Sequence, residues 1–469
     1  MLFHTWTFAA FFLIVYPVHL FVKNTRFAKY WLLVASCVFY GWWRPQGRPW
    51  TPVYLYLMLY CTIVDYVAGR LMAATTRRKM FLAIAVVNHL LVLGYCKYAI
   101  FFTRNANVLL GRLGAPALPI PDIILPIGVS FYTFQAMSYV IDLYRGDVEV
   151  ERHPVRFAAF VTLFPQLVAG PIERGAALLP QLRRKIRVHL QNVTDGLSLF
   201  LVGFFKKRAI ADFLAIYVES VYGSDRVAST VGTCGSPQVI LATFAFAWQI
   251  YFDFSGYTDM ARGLAKMMGY NLMVNFNKPY LSADLGEFWK RWHISLSSWF
   301  RDYVYIPLGG NRRGRARTWV NMFITMVVSG FWHGAAWTFV IWGFLHALGL
   351  AVTKLLQPTK GYQRVPKPVK QILVFCFVCF AWVFFRARSL GDALLAVRTA
   401  VTGPWLAPKF PVAALILCLA VWLHQAGSES RLHNLLHWAP VRVALATGML
   451  VYLVFASSSG VKQFIYFQF

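Results

Sequence analysis

At 469 residues the chain is long enough for two or three soluble domains, yet 58% of it is hydrophobic, 17% aromatic and only 14% charged, against about 25% charged in an ordinary soluble domain. That balance, with a mean hydropathy of +0.53, excludes disorder and a water-soluble globule and predicts an all-α, multi-pass integral membrane protein in contact with lipid. The 46 Lys and Arg against 18 Asp and Glu give a net charge of +28, a surplus that would suggest nucleic acid in a soluble chain. Here the basic residues fall in short connections between apolar runs, where they anchor topology, and nucleic acid is excluded as a partner.

The first apolar stretch runs to about Val22 with no basic segment before it and no small-residue cleavage site, and is expected to be a retained span. Further spans are expected near 30–43, 52–69, 80–102, 123–141, 157–172, 197–222 (with a charged break at Lys206, Lys207 and Arg208), 238–256, 319–353, 371–385, 411–424 and 441–456. About eleven to thirteen transmembrane and re-entrant helices follow. The connections 23–29, 44–51, 70–79 and 103–122 hold three, two, four and two Lys or Arg, so richer loops alternate with poorer ones. This favours an external N-terminus with Arg70–Lys79 in the cytoplasm. Polar connections are short throughout, so residues 1–469 are expected to form one membrane domain. The seven cysteines are scattered, and Cys376 and Cys379 lack the polar setting of a metal or redox site. They read as small buried residues, and no metal site is expected.

The segment 275–317 breaks the membrane pattern. Asp284, Glu287, Lys290, Arg291, Arg301 and Asp302 stand among Trp and Phe residues, and at the bilayer centre these charges would together cost about 15–20 kcal/mol. The segment cannot be a lipid-facing span. Asp284 and Glu287 have the spacing of a helix cap. Leu285, Phe288, Trp289, Trp292, His293, Leu296, Trp299 and Phe300 then fall at helical spacing, predicting one amphipathic helix with His293 on its apolar side. A lone His there is either a satisfied core residue or a chemical group.

The nearly uncharged run 319–353 would extend about 52 Å as a single helix, against a hydrocarbon core of about 30 Å. It must bend or split, and the glycines of Ser329-Gly-Phe-Trp-His-Gly-Ala-Ala-Trp337 mark the place. His333 is thereby put at a break within the apolar run. Neutral imidazole is far cheaper to bury than a charged side chain and still accepts a proton, so His333 serves either chemistry or a helix-to-helix hydrogen bond. His346 lies about 220° further round an unbroken helix and shares a face with His333 only if the helix is interrupted. It is read as supporting or packing. Arg312, Arg313, Arg315 and Arg317 form an acid-free basic cluster expected to face the cytoplasm, either as a topological anchor or as an attraction for phosphates.

Prolines and glycines recur beside polar groups in Leu125–Gln135, Phe164–Arg174 and Gln249–Arg262, as in broken helices lining an enclosed cavity. Asp259 and Arg262 are spaced to pair, whereas Asp253 has no local partner.

Taken in order, Pro126-Ile-Gly-Val-Ser-Phe-Tyr-Thr-Phe-Gln135, Pro165-Gln-Leu-Val-Ala-Gly-Pro171, Tyr251-Phe-Asp-Phe-Ser-Gly-Tyr-Thr-Asp-Met260, Phe288-Trp-Lys-Arg-Trp-His-Ile-Ser-Leu-Ser297, Tyr305-Ile-Pro-Leu-Gly-Gly310, Gly330-Phe-Trp-His-Gly334 and Phe464-Ile-Tyr-Phe-Gln-Phe469 resemble the membrane-bound O-acyltransferase (MBOAT) family. Within it they resemble the branch of membrane subunits for alginate O-acetylation. The resemblance implies a helical bundle around a central tunnel, and acyl transfer from acetyl-CoA, a donor substrate and not a resident cofactor, to a hydroxyl. It makes His333 the catalytic residue and His293 a catalytic or tunnel-lining partner, with Trp332, Gly334 and Trp289 along the tunnel and Arg312 and Arg313 available to the CoA phosphates. It further implies a bacterial inner membrane location and a periplasmic SGNH-type partner enzyme that completes transfer to an exopolysaccharide, alginate in the first place and cellulose or another cell-surface glycan as the alternative. From the residues alone a transporter or flippase, or a structural subunit of a polymer-secretion complex, competes with this reading.

Overall fold

The computed structural model describes residues 1–43, 52–168, 170–224, 229–405, 411–427 and 438–455, and the motif at 464–469 lies outside them. Among the described residues every regular element is helical. Val53–Ala74, Arg78–Arg112, Ser236–Met267, Trp337–Leu356 and Lys367–Arg386 are long and apolar enough to cross a membrane, and Trp6–Val22, Val412–Leu423 and Val443–Phe455 are shorter apolar helices. The protein is an all-α, multi-pass membrane protein.

The helix surfaces follow from the solvent they face. Ile84, Val87, Leu90 and Leu91 of Arg78–Arg112 are exposed, as lipid permits and water would not. Ser236–Met267 is instead buried along most of its length. Cys376 also faces outward, unlike buried Cys379, so it is not the small core residue that its apolar surroundings suggested.

Two compact units divide the chain, one of 1–200 with 257–273 and one of 201–256 with 274–469. In the first, Asp65 of Val53–Ala74 and His89 of Arg78–Leu93 form a fully buried pair at 2.8 Å. Glu151 holds Arg156 at 3.0 Å and Arg183 at 2.9 Å. Arg262 reaches Asp259 at 3.4 Å, the i, i+3 pair that the sequence spacing predicts. Buried Glu173 accepts a hydrogen bond from the Met273 backbone N–H at 2.6 Å. Burial pushes its carboxyl up to about 7, against the opposing pull of that N–H and of Arg262 and Arg174.

In the second unit the charged break is a π-helical turn, Lys206–Ala211, leading into Asp212–Tyr222. Lys207 is buried there with Asp212 at 3.0 Å and with Asp253, and Arg208 holds Asp212 at 2.8 Å. Asp253 therefore pairs with a lysine 46 positions earlier in the chain. Trp248, Trp292, Trp342, Trp382 and Tyr280 are fully buried and form the aromatic centre of this unit.

Candidate active site

The long apolar run splits as its glycines require. One helix spans Gly314–His333 and the next Trp337–Leu356, with extended backbone at Gly334 and Ala336 between them. A Cβ on Gly330 would collide with the Phe339 carbonyl oxygen and stand 3.1 Å from Gly343 Cα, and a Cβ on Gly334 would overlap the Phe339 ring. Hydrogen is the only side chain that lets the two helices approach this closely around the break.

His333 is the last residue of its helix and is buried. Its ring centroid lies 5.0 Å from Trp332, 5.2 Å from Trp342 and 5.3 Å from Phe385. The interruption also brings His346 into the same aromatic set, since Trp342 stands 4.7 Å from the His346 ring.

The preceding segment differs from its sequence reading. Asp284 does cap a helix, its carboxylate accepting from the Glu287 N–H at 2.8 Å while Glu287 accepts from the Ala283 N–H at 2.7 Å. That helix ends at Arg291, and a second begins at Ile294 and runs to Phe300. The expected continuous amphipathic helix is thus two short ones joined at His293, whose φ of 41° is left-handed. Asn275 holds the corner, its carbonyl accepting from the Ile294 N–H at 2.9 Å and its side chain from the Ser295 N–H at 3.2 Å. Apolar spacing alone does not register such a corner, because buried apolar residues continue through it, with Leu285, Phe288 and Trp292 before it and Leu296, Trp299 and Phe300 after it.

His293 is buried against Phe254 at 4.6 Å and Trp332 at 6.4 Å between ring centroids. Burial pulls its imidazole down to about 3, so it is neutral at physiological pH. Trp332 thus contacts both His293 and His333. Of the residues singled out from sequence, His333, His293, Trp332, Gly334 and Trp289 all belong to this unit, and Trp289 touches Trp342 at 5.7 Å.

Trp289 also lines a cavity of about 160 Å³, with Ser297, Arg301, Tyr305, Met322, Thr325 and Ser329 among its other walls. Ser329 lies one helical turn before His333. Arg312 and Arg313 do not line this cavity. They are exposed at the opposite end of the Gly314–His333 helix, about 28 Å along its axis from His333. The arginine at the cavity is Arg301, which sequence reading counted only among the charges of the segment. Its nearest signal was the mixture of charge and aromatic residues around it.

A buried imidazole at a helix break, with a small, mainly apolar cavity one turn away, suits proton transfer to and from a reacting group. Residues 150–390 match the profile of MBOAT, the membrane-bound O-acyltransferase family. "Probable alginate O-acetylase AlgI" of Pseudomonas aeruginosa is 41% identical over 397 residues, 84% of this chain and 73% of that protein. Peptidoglycan O-acetyltransferase of Helicobacter pylori is 33% identical over 409 residues, 81% of this chain and 74% of its own. Teichoic acid D-alanyltransferase of Streptococcus thermophilus is 31% identical over 235 residues, 48% of this chain and 56% of its own. The chain belongs to the membrane-bound O-acyltransferase family, and the reading as an acyltransferase prevails over a transporter or a purely structural subunit.

Proposed function

We propose that this protein takes an acetyl group from acetyl-CoA at the cytoplasmic face of a bacterial inner membrane and passes it to a periplasmic acceptor, for O-acetylation of an exopolysaccharide. Alginate is the polymer favoured by relatives about 40% identical over 84% of the chain that are named for alginate acetylation. Cellulose or another surface glycan is the alternative, because relatives at lower identity are named for peptidoglycan and teichoic acid. The immediate acceptor is the serine of an SGNH-type partner enzyme.

The observation that carries this reading is the position of His333 at the break between Gly314–His333 and Trp337–Leu356, buried among Trp332, Trp342 and Phe385. In the proposed step an acceptor hydroxyl oxygen attacks the thioester carbonyl carbon while its proton moves to the His333 imidazole. The tetrahedral adduct collapses with cleavage of the carbon–sulfur bond, and the imidazolium returns the proton to the departing thiolate. The products are an oxygen ester and a free thiol. Such general base and acid assistance is worth about 10² to 10⁴ in rate.

His293, held neutral by burial, positions Trp332 and the wall around it. Arg312 and Arg313 face the cytoplasm as anchors and attract the CoA phosphates over a distance. Arg301, at the cavity itself, is the nearer cation.

The test is thiol release from acetyl-CoA by the full chain in lipid nanodiscs, with acceptor enzyme and alginate or cellulose oligosaccharides supplied in turn. Release by the wild type that disappears in His333→Ala supports the reading. Equal release by both proteins would remove His333 from the chemistry, and a wild type that releases no thiol from acetyl-CoA with any acceptor would remove the donor.

A further inference from the structure

His346 sits in the second unit, fully buried in a box of aromatic rings. Trp342 lies 4.7 Å away between centroids, Trp289 5.0 Å, Phe377 5.8 Å, and Phe288 stacks at 6.1 Å. Packing explains the rings and leaves the nitrogens unexplained. Both nitrogens of His346, the indole nitrogen of Trp289 and that of Trp342 are buried, and none meets a hydrogen-bond partner among the described residues. Buried polar atoms are nearly always satisfied, so a cluster of four such nitrogens on three touching rings marks a place built to receive a polar guest.

The chemistry of the rings defines that guest. An indole N–H donates and never accepts, and a neutral imidazole donates from one nitrogen only. The cluster thus offers three donors against one acceptor, and the guest that satisfies it is an oxygen that accepts hydrogen bonds. Its location narrows the choice further. Trp289 is a wall of the cavity of about 160 Å³, and Trp342 is in edge contact with His333 at 5.2 Å. The cluster therefore joins the cavity to the histidine at the helix break.

We propose that Trp289, Trp342 and His346 form a hydrogen-bonding subsite for the carbonyl oxygen of the acyl group being transferred, resting on the acetyl-CoA donor reading above. Addition of the acceptor oxygen to the carbonyl carbon moves the carbonyl electron pair onto that oxygen. Donors fixed in place around it hold the growing charge without reorganising, so they favour the transition state over the ground state. His346 then supports the reaction opposite His333, one residue taking the acceptor's proton and the other the acyl oxygen's charge.

The experiment compares binding of acetyl-CoA with that of its S-ethyl thioether, in which a methylene replaces the carbonyl, to the full chain in nanodiscs. A site that hydrogen-bonds a carbonyl discriminates against the analogue lacking it. The wild type is expected to prefer acetyl-CoA by about tenfold, and His346→Phe, Trp342→Phe and Trp289→Phe, which keep a ring and lose the nitrogens, are expected to bring the two ligands within about twofold. Trp289 is only partly buried, so Trp289→Phe carries the test if a deeper variant does not fold. A wild type without preference, or ring-retaining variants that keep the full preference, overturns the subsite. A wild type that binds neither ligand overturns the donor reading, and the subsite falls with it.

Discussion

Trp332 stands with its ring centroid 5.0 Å from His333 and near perpendicular to it, and the same indole meets His293 at 6.4 Å. The two histidines thus share one aromatic wall but occupy different settings. His333 ends a helix beside the break, and His293 turns a corner between two short helices in a left-handed conformation.

His333→Ala is expected to lower acetyl transfer by about 10² to 10⁴ while the protein still inserts and elutes as a single species. His293→Ala is expected to cost less in rate and more in stability, because Ala tolerates the left-handed corner poorly. His293→Asn should recover stability, since Asn visits that region more readily. Thiol release and the thermal midpoint in detergent read the two effects separately. Loss of rate in His293→Asn equal to that in His333→Ala would give His293 a share of the chemistry.

Acid should weaken the corner. The folded-state imidazole of His293 is held down at about 3 by burial, whereas its ordinary value is 6.5. The unfolded chain then binds the extra proton first, so the stability contributed by the neutral ring is present above pH 6.5 and lost as the pH falls toward 3. Glu173 has the opposite sign. Its carboxyl rises from 4.5 to about 7 on burial, so its stability is full below pH 4.5 and lost as the pH rises through 7. Glu173→Gln should therefore remove its share of the decline in thermal midpoint between pH 4.5 and 7 and leave the loss toward pH 3 unchanged. A variant whose profile between pH 4.5 and 7 matches that of the wild type would remove Glu173 as the cause.

The buried cation of the π-helical turn makes a different prediction. Lys207 serves Asp212 and Asp253 together, and replacing one partner of such a buried network by an apolar side chain costs about 3–5 kcal/mol. Lys207→Met should fall by that amount in detergent unfolding, and Lys207→Met with Asp253→Asn should recover part of it. A double variant no more stable than the single one would show that Asp253 does not depend on Lys207.

These residues also mark what the sequence made legible. The break near His333 could be read because an apolar run of that length cannot remain one span and because Gly330 and Gly334 punctuate it. The Asp284 cap and the Asp259–Arg262 pair were readable because both are local, three residues apart. The Lys207–Asp253 pair spans 46 positions and leaves no local trace. The corner at His293 was hidden because apolar periodicity continues through it, and the His346 cluster required knowing that Trp289 and Trp342 meet across helices. Arg301 in the cavity wall was likewise hidden, because its place among charges and aromatic residues does not say which of them meet across helices.

The two glycines at the break provide a steric test. Gly330→Ala would press a methyl against the Phe339 carbonyl and Gly343, backbone groups that cannot yield. A forced separation of this kind costs about 1–3 kcal/mol, with the His333 end of the helix displaced. Rate should fall further than stability, as transfer depends on sub-ångström placement. Gly330→Ala with wild-type turnover would show that the break tolerates displacement.

The last prediction concerns the acceptor. The described cavity beside the site holds about 160 Å³, below the roughly 300 Å³ at which pockets for drug-sized ligands begin. Its walls are mainly Trp, Leu, Phe, Tyr and Met, with Ser297, Thr325, Ser329 and Arg301 as the polar exceptions. A two-carbon acyl group suits that volume and polarity. A polysaccharide segment would need a longer groove and would lose the hydration of each hydroxyl on entering an apolar one. The protein alone is therefore expected to leave polymer unacetylated, and a periplasmic serine acetyltransferase that co-purifies with it should restore transfer. Deleting that partner should abolish polymer acetylation while this protein remains intact and His333-dependent thiol release persists with a small hydroxyl acceptor. Efficient acetylation of oligosaccharide by this chain alone in liposomes would place the polymer site within it, and the search would move to its extracytoplasmic connections.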